Sequence, residues 1–329
     1  MNVYLLIIIL INLVIFLNFR KISNLYNLFD YPDQLRKIHK NPTPLFGGLV
    51  IFFNLLIFCV IEYSGFLNFT YFEKKIDILI FLFFSFSFFV VGYIDDKYSI
   101  KPNFKLLTYT ILICLLMLLD KDLVIKNANF SFTDFIFHFE NYSIFFTILC
   151  FLLFINSFNM LDGINGQAGS YSIYILIIFL FLNVNTVLSI NLFITLLFFL
   201  YFNFKDKMFL GDSGTILLGF VFSYFFIKSY NLGFRISSDE IFLIMMIPGF
   251  ELLRLALQRL YNKRHPFSPD DQHIHHLLLR RLNFFKSYLL VQFLLFFPFL
   301  LYLLIANSII SLVVSSTIYF ITIFYFSKK

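Results

Sequence analysis

The chain is written as long apolar runs separated by short polar breaks. Runs near residues 3–19, 46–63, 76–94, 104–119, 142–161, 168–183, 186–202, 214–230, 241–260, 287–305 and 308–326 each have about the length that crosses ~30 Å of hydrocarbon as a helix. A soluble core can hold one such run, but not ten. The pattern therefore predicts an all-α, polytopic integral membrane bundle of about eleven transmembrane helices. Only Asn183-Val184-Asn185 divides the sixth run from the seventh, which predicts a tight helical hairpin. The last two divide near Ala306-Asn307, and merging them would leave ten. No internal repeat or low-complexity linker interrupts the chain, so residues 1–329 read as one domain.

Composition agrees with the pattern. Charged residues make up 13% of the chain, against roughly a quarter in soluble domains. Trp is absent, leaving Tyr as the interfacial aromatic. Cys59, Cys114 and Cys150 lie inside apolar runs without metal-ligand spacing and read as packing residues. No basic segment precedes the first run and no small-residue cleavage site follows it, so it reads as a retained span.

Charge sets the expected orientation. The loops 20–45, 95–103, 162–167, 203–213 and 261–286, with nearby helix ends and Lys328-Lys329, carry 19 of the 25 Lys and Arg. The opposite side holds Lys74, Lys75, Lys121, Lys126, Lys228 and Arg235. The positive-inside rule then places the N-terminus outside, with the C-terminus and these five loops in the cytoplasm. The external loop 120–141 reads as a solvated polar face, its acids and His138 included.

The unusual polar residues all fall in the five internal loops. His39-Lys40 precedes Pro42, Pro44 and Gly47-Gly48. Prolines stiffen that turn and glycines admit close backbone approach, which suits a phosphate grip or a plain positive-inside anchor. Asp95-Asp96 closes the third span, with Lys105 opening the next. Paired carboxylates at a membrane boundary are costly unless they serve metal, proton transfer or a cation, although acids there can also be topology markers. Asn156, Asn159 and Asp162 recur every three residues, which on a helix lines them along one face beside Gly163 and Gly166. That face suggests a metal or nucleotide site; helix capping would explain Asp162 but not the two Asn. Gly211-Asp212-Ser213-Gly214 holds more glycine than a helix cap needs. Its carboxylate suits Mg²⁺, a hard ion that prefers oxygen ligands. Four of the six histidines fall in Arg264–His276, as His265, His273, His275 and His276. With Arg264, Arg280 and Arg281 nearby they suit a pyrophosphate better than zinc, since no thiolate is near.

Taken together, His39–Gly48, Asp95-Asp96, Asn159–Gly166, Gly211–Gly214 and Pro266–His276 resemble, in order and spacing, the polyprenyl-phosphate N-acetylhexosamine-1-phosphate transferases. The resemblance spans about residues 36–281. Pro-Phe-Ser-Pro-Asp followed by His-Ile-His-His is similar to the branch that acts on undecaprenyl phosphate with N-acetylglucosamine 1-phosphate. It implies attack of a lipid phosphate oxygen on the β-phosphorus of a UDP-sugar, releasing UMP. It implies Mg²⁺, or Mn²⁺ in its place, at Asp212 with Asn159 close to metal and diphosphate. Asp95 would face the lipid phosphate, Asp96 would support the metal-phosphate region, and Asp162 matches an aspartate that is either nucleophile or support. Lys40 and Lys105 match lysines on phosphate or uridine, while Gly163, Asn203 and Phe209 fall where uridine is held. Arg264 is placed among the substrate contacts, and His273, His275 and His276 on diphosphate and sugar. Two positions depart from the pattern: Asn165 stands where a second aspartate is frequent, and Asp271 where a basic residue usually follows Pro-Asp.

The implied partners are the UDP-N-acetylhexosamine, the polyprenyl phosphate and membrane lipid, with a homodimer as a further expectation and no nucleic acid. The implied location is a bacterial inner (cytoplasmic) membrane, at the first membrane step of cell-envelope polysaccharide synthesis. Two alternatives keep the chemistry and change the sugar, to UDP-N-acetylmuramoyl-pentapeptide or UDP-N-acetylgalactosamine. A secondary transporter is the alternative in another class, but transporters place ionisable groups deep in their spans and show paired halves. Here Glu251 and Arg254, three apart in the ninth span, are the one deep charge pair and read as an internal ion pair.

Overall fold

The computed structural model describes residues 2–26, 28–31, 41–66, 71–233, 236–266, 268 and 270–327. In chain order the elements are α1 (Asn2–Leu17), α2 (Phe19–Tyr26), β1 (Phe29–Asp30), β2 (Thr43–Pro44), α3 (Gly47–Ser64), α4 (Lys75–Tyr98) and α5 (Pro102–Leu119). A small hairpin follows, β3 (Asn127–Phe130) and β4 (Thr133–His138). Then come α6 (Ser143–Leu161), α7 (Gln167–Phe181), α8 (Thr186–Asn203), α9 (Gly211–Asn231), α10 (Ser238–Tyr261), α11 (Ile274–Leu279), α12 (Phe284–Ile305) and α13 (Ser308–Ser327).

Each of the eleven apolar runs forms one helix, and the breaks fall where polar residues divide the runs. Asn183 and Asn185 take left-handed backbone angles between α7 and α8, and the Asn185 side chain caps α8 by accepting from the Leu188 amide. Ala306, also left-handed, parts α12 from α13. Among the described residues, eight helices are by themselves long and apolar enough to cross a membrane, or nine with the pair α1–α2, which bends by 61°. Two of the eleven miss that test for physical reasons: α7 has only 15 residues, and α10 carries Asp239, Glu240, Glu251, Arg254 and Arg259. The molecule is a helical, multi-pass membrane protein.

Helix α9 is the axis. Residues Ser213 to Ser229 are buried throughout, packed against α3, α4 and α6. Phe88 stacks on Phe220 with centroids 4.4 Å apart, one of many ring contacts along this seam. A helix apolar all round must be surrounded, and α9 is.

The loop 120–141 departs from its expected character. Rather than a solvated face without order, 127–138 folds as an antiparallel hairpin with a register shift between Asn129 and Phe130. Asp120 is buried and accepts from Lys228 Nζ at 2.7 Å and from the Tyr224 hydroxyl at 3.0 Å. Lys228 is thus a buried partner, not a free interfacial cation. Charge is tolerated there because it is paired; either partner alone would be a buried, uncompensated ion. His138 is exposed, as expected.

Candidate active site

The opposite end of the bundle gathers all five polar loops. The first loop joins the fourth, as Leu45 bridges Phe209 in parallel, Phe209 N donates to Pro44 O at 2.9 Å, and Gly47 and Gly48 donate to Phe209 O and Leu210 O. His39 and Lys40 lie outside the described residues, so the expected lysine contact at position 40 has no structural account.

Three helix ends then meet at Gly211–Gly214. A Cβ at Gly92 of α4 would fall 2.5 Å from Ser213 Cα, and one at Gly48 of α3 would fall 2.4 Å from Ser213 Oγ. Only glycine permits these approaches, and they bring the carboxylates of α4 onto the start of α9. Asp96 accepts from the amides of Asp212 at 2.7 Å and Ser213 at 3.0 Å, using both oxygens. It therefore satisfies the orphan N–H groups of α9 and faces the positive end of its dipole. Asp95 is buried; one oxygen accepts from Ile100 N at 2.7 Å and the other from Lys105 Nζ. The same Nζ reaches Asp212 at 3.2 Å. Asp212, unlike buried Asp95, is partly open, its side chain 39% exposed. One lysine thus bridges two carboxylates, and the third is held by backbone.

The end of α6 forms the next wall. Thr215, one turn into α9, donates to Asn159 Oδ1. The expected single helical face of Asn156, Asn159 and Asp162 is broken, because α6 ends at Leu161 and Asp162 leaves the helical conformation. Asn156 turns back to donate to Leu152 O at 2.7 Å. Asp162, beyond the helix end, is exposed. Asn203 is buried and clamps two loops, accepting from Gly166 N at 2.6 Å and donating to Met208 O at 2.8 Å.

The histidine loop closes over the Gly163 turn. A Cβ at Gly163 would lie 1.9 Å from the His275 ring, so the ring rests on bare backbone. His273 and His275 stack with centroids 5.3 Å apart, and His276 packs tilted against His275 at 4.4 Å, so the three rings form one cluster. Burial lowers the pKa of His273 to about 4; Arg259 and His276 add to that, while Glu251 and Asp270 oppose it. Burial likewise takes His275 well below the usual imidazole range. Both are neutral near pH 7 and can each offer one N–H as a donor. His273 Nδ1 is buried and has no hydrogen-bond partner among the described residues. Arg264 is exposed, whereas His265 Nε2 lies 2.9 Å from Asn103 Oδ1 and ties the loop to the start of α5.

Three supports of this loop were missed by sequence reasoning. Arg259 is buried and donates to Asp270 at 2.6 Å and Pro266 O at 2.6 Å, fixing the base of the loop. Glu251 and Arg254 do pair, at 2.7 Å, and they also reach the loop backbone. In the sequence Arg259 is one basic residue among several on its side, and no local pattern distinguishes an anchor from a topology marker. Asp271, the departure from the family pattern, pairs with exposed Arg280 at 2.6 Å.

Among the described residues no three His, Cys, Asp or Glu side chains converge on one cation position. The donor set nonetheless fits Mg²⁺: Asp212 offers partly open carboxylate oxygen next to Asp95. This ion commonly takes one or two carboxylates and completes its shell with water and substrate phosphate.

Residues 78–230 match the family model described as glycosyl transferase family 4. That stretch contains Asp95, Asp96, Lys105, Asn159, Asp162, Asn203 and Asp212. An undecaprenyl-phosphate alpha-N-acetylglucosaminyl 1-phosphate transferase of Thermotoga maritima is 29% identical over 275 residues, covering 82% of this chain and 80% of its own length. The protein of that name in Escherichia coli is 27% identical over 274 residues, with 79% and 71% covered. The one in Yersinia pestis is 26% identical over 273 residues, with 79% and 72% covered.

Proposed function

We propose, from the match of residues 78–230 to glycosyl transferase family 4 and the geometry of the site, that the chain transfers N-acetylglucosamine 1-phosphate from UDP-N-acetylglucosamine to undecaprenyl phosphate. A phosphate oxygen of the lipid attacks the β-phosphorus of the donor, the bond to the α-phosphate oxygen breaks, and UMP leaves. The observation that carries this reading is the linkage of Asp95, Asp96 and Asp212 through Lys105 and the start of α9, with the histidine cluster seated on Gly163, at one end of an apolar bundle. One substrate is a polyprenyl chain and the other is polar, so a site at a membrane boundary reaches both.

Phosphoryl transfer depends chiefly on positioning and on neutralising charge. Asp212 would hold Mg²⁺, or Mn²⁺, with Asn159 close by and Asp95 facing the lipid phosphate, and the ion would offset the negative charge of the two phosphates. Asp96 fixes the start of α9 and so sets where Asp212 points. Lys105 keeps Asp95 and Asp212 together and supplies positive charge where phosphates meet. His273, His275 and His276 donate to the diphosphate and sugar. Gly163, Phe209 and Asn203 form the nucleotide side, Asn203 by shaping the two loops it clamps. Lys40 and Arg264 are assigned to phosphate contacts of the donor. The basic loops support a cytoplasmic site, at the inner membrane of a bacterium, where a UDP-sugar is available.

A panel of UDP-sugars given to purified protein with undecaprenyl phosphate tests the assignment. UDP-N-acetylglucosamine is expected to be the best donor. Exclusive use of UDP-N-acetylmuramoyl-pentapeptide or UDP-N-acetylgalactosamine would replace the sugar and keep the chemistry; turnover of none would reject both.

A further inference from the structure

Helix α10 carries a buried ionic cluster that sits behind the histidines rather than among the phosphate groups. Glu251 is 5% exposed and Tyr319 of α13 is fully buried. Arg254 donates from Nε to Glu251 at 3.1 Å and to Tyr319 at 3.2 Å, and from Nη2 to Glu251 at 2.7 Å. The Tyr319 hydroxyl donates to Glu251 at 2.5 Å. A closed group of this kind could be a plain interhelical staple.

Two further bonds give it another role. Arg254 Nη2 donates to the carbonyl of Gln272 at 2.7 Å, and Glu251 accepts from the amide of Ile274 at 2.7 Å. The cluster thus grips the backbone immediately before and after His273. Ile274 is the first residue of α11, whose opening N–H groups have no partner within the helix. The Glu251 carboxylate satisfies one of them from a different helix, and charge-assisted bonds are the strong ones. The rest of α11 carries His275 onto Gly163.

We propose that Glu251, Arg254 and Tyr319 are positioning residues for the transfer reaction, setting the placement of His273 and His275 through the backbone. This rests on the histidines having the role given above. It also gives α13, which lies beyond the family match at 78–230, a part in the reaction: its Tyr319 hydroxyl completes the shell of Glu251. An arginine is needed because its planar fork spans carboxylate, carbonyl and hydroxyl at once, which an ammonium cannot do.

The variants Tyr319→Phe and Arg254→Lys test this. Each leaves the shape of the cluster nearly intact and removes one or more of its bonds. For Tyr319→Phe we expect kcat per folded molecule to fall about tenfold with KM for the UDP-sugar changed less than about twofold, since a misplaced donor is felt mainly in the transition state. Arg254→Lys should lose more. Amide exchange in 272–279 should accelerate in both variants while that of 213–229 stays unchanged. A staple with no positioning role would instead lower the melting temperature and leave kcat per folded molecule and exchange in 272–279 at their original values; that result overturns the proposal. If the wild-type protein turned over no UDP-sugar, the functional reading would fail, and unchanged exchange in 272–279 would still overturn the grip on the loop.

Discussion

Asp212 is partly open and is the one of the three clustered carboxylates whose oxygens are not taken by backbone amides. Asp212→Asn is expected to abolish transfer while the protein remains folded, and wild-type turnover should require Mg²⁺ or Mn²⁺. Full turnover in EDTA-treated membranes, by the wild type or the variant, would contradict the assignment. Loss of a donor in the histidine cluster should cost roughly 30- to 1,000-fold in rate, the range for a group that stabilises transition-state charge. Zinc should be absent by elemental analysis and should not rescue His276→Ala; one zinc per chain, lost with activity, would favour a metal centre instead. His273 also has a pH signature. Its folded pKa, about 4, lies below the unfolded value near 6.5. The unfolded chain therefore binds the extra proton between those values, and stability falls as pH drops through that window. The full effect is up to about 3 kcal/mol, and His273→Gln should flatten the acid-side fall of the melting temperature measured from pH 7 to 4. At this scale the sequence was informative because a carboxylate or amide stands out in an apolar background. It said nothing of Arg259–Asp270 or of Asn203's two bonds, since those partners are set by which loops meet in three dimensions.

Helices were legible wherever hydropathy changed abruptly, and each of the eleven runs forms a helix. What escaped was local geometry with a weak signal: the 61° bend between α1 and α2, and a hairpin of two short strands in 127–138. The meeting of α4 with α9 was also hidden, because Gly92 reads as an ordinary span residue until Ser213 is seen against it. Gly92→Ala should therefore separate the two helices and move Asp96 off the α9 amides. We expect a loss of activity larger than that of Gly249→Ala, a helical glycine with open space at its Cβ. Equal activity in the two variants would deny that the close crossing matters. At the other end of α9, Lys228→Met alone should strand Asp120 and cost about 3–5 kcal/mol, while the double change with Asp120→Leu should recover much of it. A double-mutant cycle on melting temperatures, corrected to free energies, reads the difference.

At the scale of the molecule, the hydrogen bonds place all five polar loops at one end and the Asp120–Lys228 pair at the other. We propose from the charge distribution that the first end faces the cytoplasm. Single cysteines at Ser268 and Asn127, in a chain without Cys59, Cys114 and Cys150, test that sidedness. An impermeant thiol reagent on intact cells should label position 127 and spare 268; the reverse would remove the site from cytosolic UDP-sugar. The central claim is the bond that breaks. Purified protein with undecaprenyl phosphate, Mg²⁺ and UDP-N-acetylglucosamine should release UMP in equal amount with a lipid-linked diphosphosugar. Release of UDP with a lipid monophosphosugar, or no nucleotide release at all, would contradict the account.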